Sequence, residues 1–211
     1  MPTILTHAVV GAAIAQVSPA TSTRHATIGA ALCAALPDVD VLAFHFGVPY
    51  ASMFGHRGLT HSLFFAILVG TVSEFSRRSR ADRDVLPWLW LQHPTLGLGR
   101  LPRIALTGFS DPARRARRVI ARATGLVFLL ATASHGLLDA LTDGGLGVAF
   151  FAPFSDARYF FPWRPIAVSP IGARFFSARG AAVLISEFIW LWLPTAFAIG
   201  LIAWSKSRRT G

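Results

Sequence analysis

The chain has 211 residues, of which 53% are hydrophobic and only 14% charged, with a mean hydropathy of +0.52. A soluble domain carries roughly 25% charged residues, so this composition excludes an ordinary water-soluble domain and points to a bilayer. The charge is lopsided, 20 Lys+Arg against 10 Asp+Glu. The arginines gather beside apolar runs instead of interleaving with exposed aromatics, which argues for membrane topology and against a nucleic-acid partner.

Five apolar segments follow in chain order, and they predict an all-α, integral membrane bundle of about five helices in a single domain, 1–211. Thr3–Val17 and Ala26–Pro37 are short and rich in Ala and Gly, below the roughly 20 residues of a clean span. The polar turn Ser18–Thr23 separates them. The single cysteine, Cys33, lies in the second segment, has no partner for an internal disulfide, and is expected to fill core space. Leu59–Phe75 follows a loop rich in Gly and His. Val119–Leu141 comes after a basic stretch, and Ala181–Trp204 stops just before Lys206, Arg208 and Arg209. The start of the chain lacks the basic region and cleavage site of a signal peptide.

Between the third and fourth segments, 77–118 reads as a basic loop on the cytoplasmic side, where its arginines also meet anionic lipid headgroups. Its Val85–Leu91 piece, with Trp88 and Trp90, reads as an interfacial patch. The second long connection, Gly144–Gly180, holds four prolines and many phenylalanines, and is expected to cap one mouth of the bundle.

Placing this loop, Arg24 and the basic tail inside sets the N-terminus outside and alternates the remaining helices. The histidines and carboxylates then collect at the outer ends: His7, Asp38, Asp40, His56, His61, His135, Asp139, Asp143 and Glu187. The arginines alone set the orientation, so this convergence is an independent signal.

Each motif carries its own chemistry. His135 and Asp139 stand four apart, on one helix face, able to grip one ion; the structural alternative is a polar pair capping a helix end. Asp143 continues the stripe. Asp38 and Asp40 in Leu36–Asp40 sit where one carboxylate can reach an ion and the other can orient it. A capping turn is the plain alternative, but carboxylates at membrane depth are costly enough to suggest function. In Gly55–Ser62, His56 and His61 flank a glycine turn, and Thr60 or Ser62 can start the next helix. Arg57 lies among them, with the planar fork suited to a phosphate. Glu187 reads as a ligand, a general base, or a partner for Arg164, Arg174 or Arg179. His25, His45 and His93 fall outside the cluster. Imidazole mixed with carboxylate suits zinc, with manganese or iron as alternatives. The number of donors exceeds one closed four-ligand site and suggests two or three ions, or one catalytic ion whose ligands are held by the remaining residues.

At His7, Leu36–Asp40, Gly55–Ser62 and His135–Asp139 with Asp143, the sequence resembles the YdjM-like family of predicted membrane-bound metal-dependent hydrolases. That family is in turn distantly similar to zinc-dependent phospholipases C and single-strand-specific zinc nucleases, which are helical and hold three ions. The resemblance implies a phospholipase-C-like metal site at one end of the bundle and a hydrolase in the cell inner membrane. A phospholipid or another phosphodiester is the expected substrate. Expected ligands are His7, Asp38, His56, His61, His135, Asp139, Asp143 and Glu187, with Asp40 orienting water and Arg57 clamping phosphate. A metal or proton transporter, and a non-catalytic scaffold with a structural ion, are the competing readings.

Overall fold

A computed structural model describes residues 1–83, 112–170 and 172–210. The Val85–Leu91 patch, His93, and most of the basic loop lie outside the described residues. Within them the chain is helical, with no strands and two isolated β-bridges, Thr142 to Ile166 and Val148 to Tyr159.

The first helix, α1 (Ile4–Ala15), starts at Thr3, whose hydroxyl accepts from the Thr6 amide. The second, α2 (Arg24–Ala35), starts at Thr23 in the same way, accepting from the Ala26 amide. Both caps satisfy amides that a helix start leaves open. The two helices pack through small residues. A Cβ at Gly11 would come within 2.5 Å of the Ala30 carbonyl, so only glycine permits the approach.

Beyond α2 the chain does not turn away. It tightens into a 3-10 helix, Leu36–Phe46, that ends at Gly47 in the left-handed conformation. Arg24–Phe46 thereby becomes one membrane-length helix of 23 residues. Asp38 and Asp40 are thus inside a helix and not after one.

Helix α3 (Leu63–Arg83) begins at Ser62, whose hydroxyl accepts from the Phe65 amide. It pairs along its length with α4 (Pro112–Ala140), the most extensive helix contact in the fold. Gly70 and Gly125 meet at the crossing, where a Cβ on Gly70 would sit 2.7 Å from the Gly125 carbonyl. Lower in the pair, Glu74 holds Arg78 and reaches Arg122. Helix α5 (Ala178–Glu187) runs through one π turn, Phe188–Trp192, into α6 (Leu193–Thr210), making a continuous rod.

Among the described residues, three helices are long and apolar enough to cross a membrane: Arg24–Phe46, Arg114–Ala140 and Ala178–Arg208. The five helical rods and the bundle expected from the sequence are therefore present. The core is thin and built of small side chains, with Ala15, Ala30, Ala34 and Ala131 meeting Val127 and Phe128. Cys33 packs against this cluster but is only half-buried. Bilayer hydrocarbon suits the many exposed Leu, Ile and Phe side chains of the outer faces.

Candidate metal centre

One end of the bundle carries a layer of buried polar side chains, drawn from five separate segments. His7 lies on α1, Asp38 and Asp40 on the 3-10 extension of α2, and His135 and Asp139 one turn apart on α4. His56 and Arg57 sit in the preceding loop, and His61 in the 3-10 turn before α3. None of the eight exceeds 8% exposure.

At the centre, His61 Nε2 and His135 Nε2 face each other at 3.0 Å. Each ring has its other nitrogen engaged. His135 Nδ1 donates to the Ala34 carbonyl at 2.7 Å, and His61 Nδ1 is hydrogen-bonded to the Thr60 hydroxyl at 3.1 Å and lies 3.1 Å from Asp40 Oδ2. An oxygen acceptor at Nδ1 fixes the neutral tautomer that leaves Nε2 with a lone pair. Two such lone pairs aimed at each other repel, so the space between them calls for a proton or a cation. In the ion-free protein a proton serves. Burial works against a charged His61, yet Asp139 and Asp40 prevail and raise its pKa from 6.5 to about 9.

Around this pair the donors close in. Asp38 Oδ1 is 3.3 Å from His135 Nε2, and Asp139 Oδ2 is 3.4 Å from His61 Nε2. Both ring nitrogens of His7 and both oxygens of Asp38 and Asp139 are buried without a hydrogen-bond partner. Asp139 has the Arg57 guanidinium at ion-pair distance and the His7 ring nearby, but neither is aligned as a hydrogen bond. Each orphaned buried group costs about 1–3 kcal/mol, so a cluster of them is costly unless something binds. Among the described residues, three sets have donor atoms within 4.8 Å of one another: His7–Asp38–His135, Asp38–His56–His61 and His61–His135–Asp139. The mixture of imidazole and carboxylate is one that could hold a metal ion.

The remaining residues support this layer. Asp40 accepts from the Thr60 hydroxyl at 2.7 Å and holds His56 Nδ1 at 2.7 Å as well as His61. Its contacts are those of an orienting carboxylate. Arg57 is fully buried, in the left-handed conformation (φ 63°), with its side chain turned inward. Its Nε lies 3.0 Å from Asp139 Oδ2, and its amino groups donate to the Gly144 carbonyl and the Thr142 hydroxyl. That guanidinium is committed to the protein and not offered to a phosphate.

Two expected ligands are placed elsewhere. Asp143 is exposed, and its carboxylate accepts from the Val168 amide. Glu187 accepts from the Thr3 amide and from the Thr3 and Thr6 hydroxyls, so its partners are threonines and not an arginine. His25 and His45 join none of the donor groups. Arg158, unremarked in the sequence, bonds the carbonyls of Tyr50, Ser52, His56, Arg57 and Gly147, tying the His56 loop to the 144–159 connection. The second long connection thus covers the site end of the bundle, as expected.

The fold and this layer define a multi-helix integral membrane protein with a buried histidine–aspartate centre at one end. The chain belongs to the YdjM inner membrane protein family, whose model matches residues 1–210. It is 35% identical to the inner membrane protein YbcI of Escherichia coli (strain K12), over 98% of this chain and 99% of that one. No solved structure matches it.

Proposed function

We propose that this protein is a metal-dependent hydrolase of the inner membrane, acting on a phosphodiester carried by a lipid or an envelope component. The observation that carries this reading is the set of buried donor atoms without hydrogen bonds on His7, Asp38 and Asp139, beside the opposed His61 and His135 rings. A divalent ion bound there would supply a water made acidic enough to attack at neutral pH.

The protein's own part is to hold the donors still. Asp40 and the Ala34 carbonyl keep the lone pairs of His61 and His135 pointing inward. Arg57 anchors Asp139, and Arg158 anchors the loop that carries Arg57.

Depth supports a lipid-borne substrate. Along α4, Asp139 lies about 25 Å from Arg122, and Asp38 is about as far from Arg24. A hydrocarbon core is about 30 Å thick. With the arginines at one boundary, the centre lies just beneath the other. Val39, Leu42, Leu137 and Ile185 expose apolar surface at that level. On the arginine rule this boundary is the outer one.

Burial favours a second reading, a scaffold with a structural ion, because His7, His135 and Asp139 are fully enclosed. Metal-loaded protein in liposomes, assayed against a panel of phospholipids and water-soluble phosphodiesters, separates the two. Hydrolysis that is lost in His61→Ala supports the enzyme. A wild type that binds metal and cleaves nothing supports the scaffold, and metal flux across the liposome without cleavage supports a transporter.

A further inference from the structure

Outside the metal centre, the site end of the rod that α5 and α6 form carries exposed cations with nothing in the protein to balance them. Ahead of α5 the chain makes a short 3-10 turn, Gly172–Phe175, with no buried residue. A Cβ on Gly180 would collide with the Phe175 carbonyl, so this glycine lets the turn lie against the start of α5. Arg174, on the turn, and Arg179, next to Gly180, are thereby brought to one end of the rod, both exposed. Among the described residues, neither has a carboxylate at ion-pair distance, whereas Arg78 is held by Glu74. Between them in the chain, Phe176 is 89% exposed, more than any other large apolar side chain among the described residues.

Depth identifies what meets them. From Arg179 to Arg208 the continuous rod rises about 43 Å. A bilayer measures about 40–45 Å with its headgroups and about 30 Å without them. The two arginines therefore lie in opposite headgroup layers. At the far end, the Arg208 guanidinium rests over the Trp204 ring, 4.1 Å from its centroid, and rings of this kind favour the interface. At the near end, Arg179 lies about 12 Å along the rod from Glu187, which bonds Thr6 beside His7. That distance sets Arg174 and Arg179 among the phosphates, farther out than the metal centre. Neighbouring cations repel one another. A phosphate between them removes the repulsion and accepts the paired N–H groups of a guanidinium.

We propose that Arg174 and Arg179 seat the phosphate of an anionic phospholipid in the leaflet on the side of the metal centre, with Phe176 beside the first carbons of its chains. This lipid is a bound partner and not the substrate, and its seat depends on neither the ion nor hydrolysis.

The test titrates full-length protein in neutral detergent with phosphatidylglycerol, with phosphatidylcholine of the same chains, or with inorganic phosphate, and counts bound molecules by native mass spectrometry. Basic residues at the other end take up the same headgroups, so the readout is the difference between wild type and the Arg174→Gln/Arg179→Gln variant. The wild type should hold one phosphatidylglycerol that the variant binds about 30-fold more weakly, while phosphatidylcholine binds equally to both. Arg174→Lys/Arg179→Lys, which keeps both charges, should hold that lipid more tightly than the glutamine pair. Equal phosphatidylglycerol binding in wild type and the glutamine variant would overturn the proposal. So would an equal loss of phosphatidylcholine, or retention of inorganic phosphate in place of the lipid. Run with and without a chelator, the experiment gives its answer whatever becomes of the metal-centre and hydrolase readings.

Discussion

His61 Nδ1 lies 3.1 Å from Asp40 Oδ2, which sets the direction of the ring and aims Nε2 at His135. Losing such an orienting carboxylate typically costs 10–100-fold in metal affinity. Asp40→Asn is therefore expected to bind zinc about 10–100-fold more weakly than wild type, while His61→Ala loses the ion altogether. Competition against a chelating dye measures both. Equal losses in the two variants would make Asp40 a ligand.

His61 also couples the centre to pH. Burial lowers its tendency to charge, but Asp139 and Asp40 outweigh this and raise its pKa from 6.5 to about 9. The folded value is above the unfolded one, so this contribution to the ion-free protein is fully present below pH 6.5. It is lost as pH rises through about 9. Thermal melts of ion-free protein should show that decline. A bound ion must displace the same proton, so apparent zinc affinity should rise up to about tenfold per pH unit before levelling off. An affinity that is flat across this interval contradicts the proton–metal exchange.

Arg57 distinguishes a strut from a phosphate clamp. Removing one partner of a buried ion pair costs about 3–5 kcal/mol, and Arg57→Ala strands Asp139 in this way. The variant should be destabilised by about that amount in denaturant titrations, and it should hold metal less well. A variant of wild-type stability that merely loses activity on phosphate esters would restore the clamp.

Glu187 is expected to secure the start of α1 without holding an ion. Glu187→Ala removes the acceptor of the buried Thr3 amide and of the Thr3 and Thr6 hydroxyls, so thermal stability should fall. Metal stoichiometry, by elemental analysis, should not change. Loss of an ion in this variant would make Glu187 a ligand.

Orientation can be read with reporter fusions. Junctions after Arg103 and after Arg209 should report the cytoplasm, and one within Gly144–Gly147 the outside. A cytoplasmic signal from the glycine loop would turn the centre inward and change the class of accessible lipid.

Composition and spacing were enough to establish the helical membrane class, the basic end of the bundle, and the gathering of His and Asp at the other end. These are local or averaged properties: apolar length sets a span, arginine position sets its side, and a separation of four puts His135 and Asp139 on one helix face. Only the tertiary structure distributed the roles among the candidates. The 3-10 extension past Ala35 turned Asp38 toward His135 and Asp40 toward His56 and His61. A left-handed residue turned Arg57 inward, and packing against α1 gave Glu187 to two threonines. The Ala34 carbonyl that orients His135 has no side-chain signature at all. Those contacts join residues far apart in the chain. Their partners are decided by which buried polar groups must satisfy one another once the helices are packed, and no local spacing encodes that.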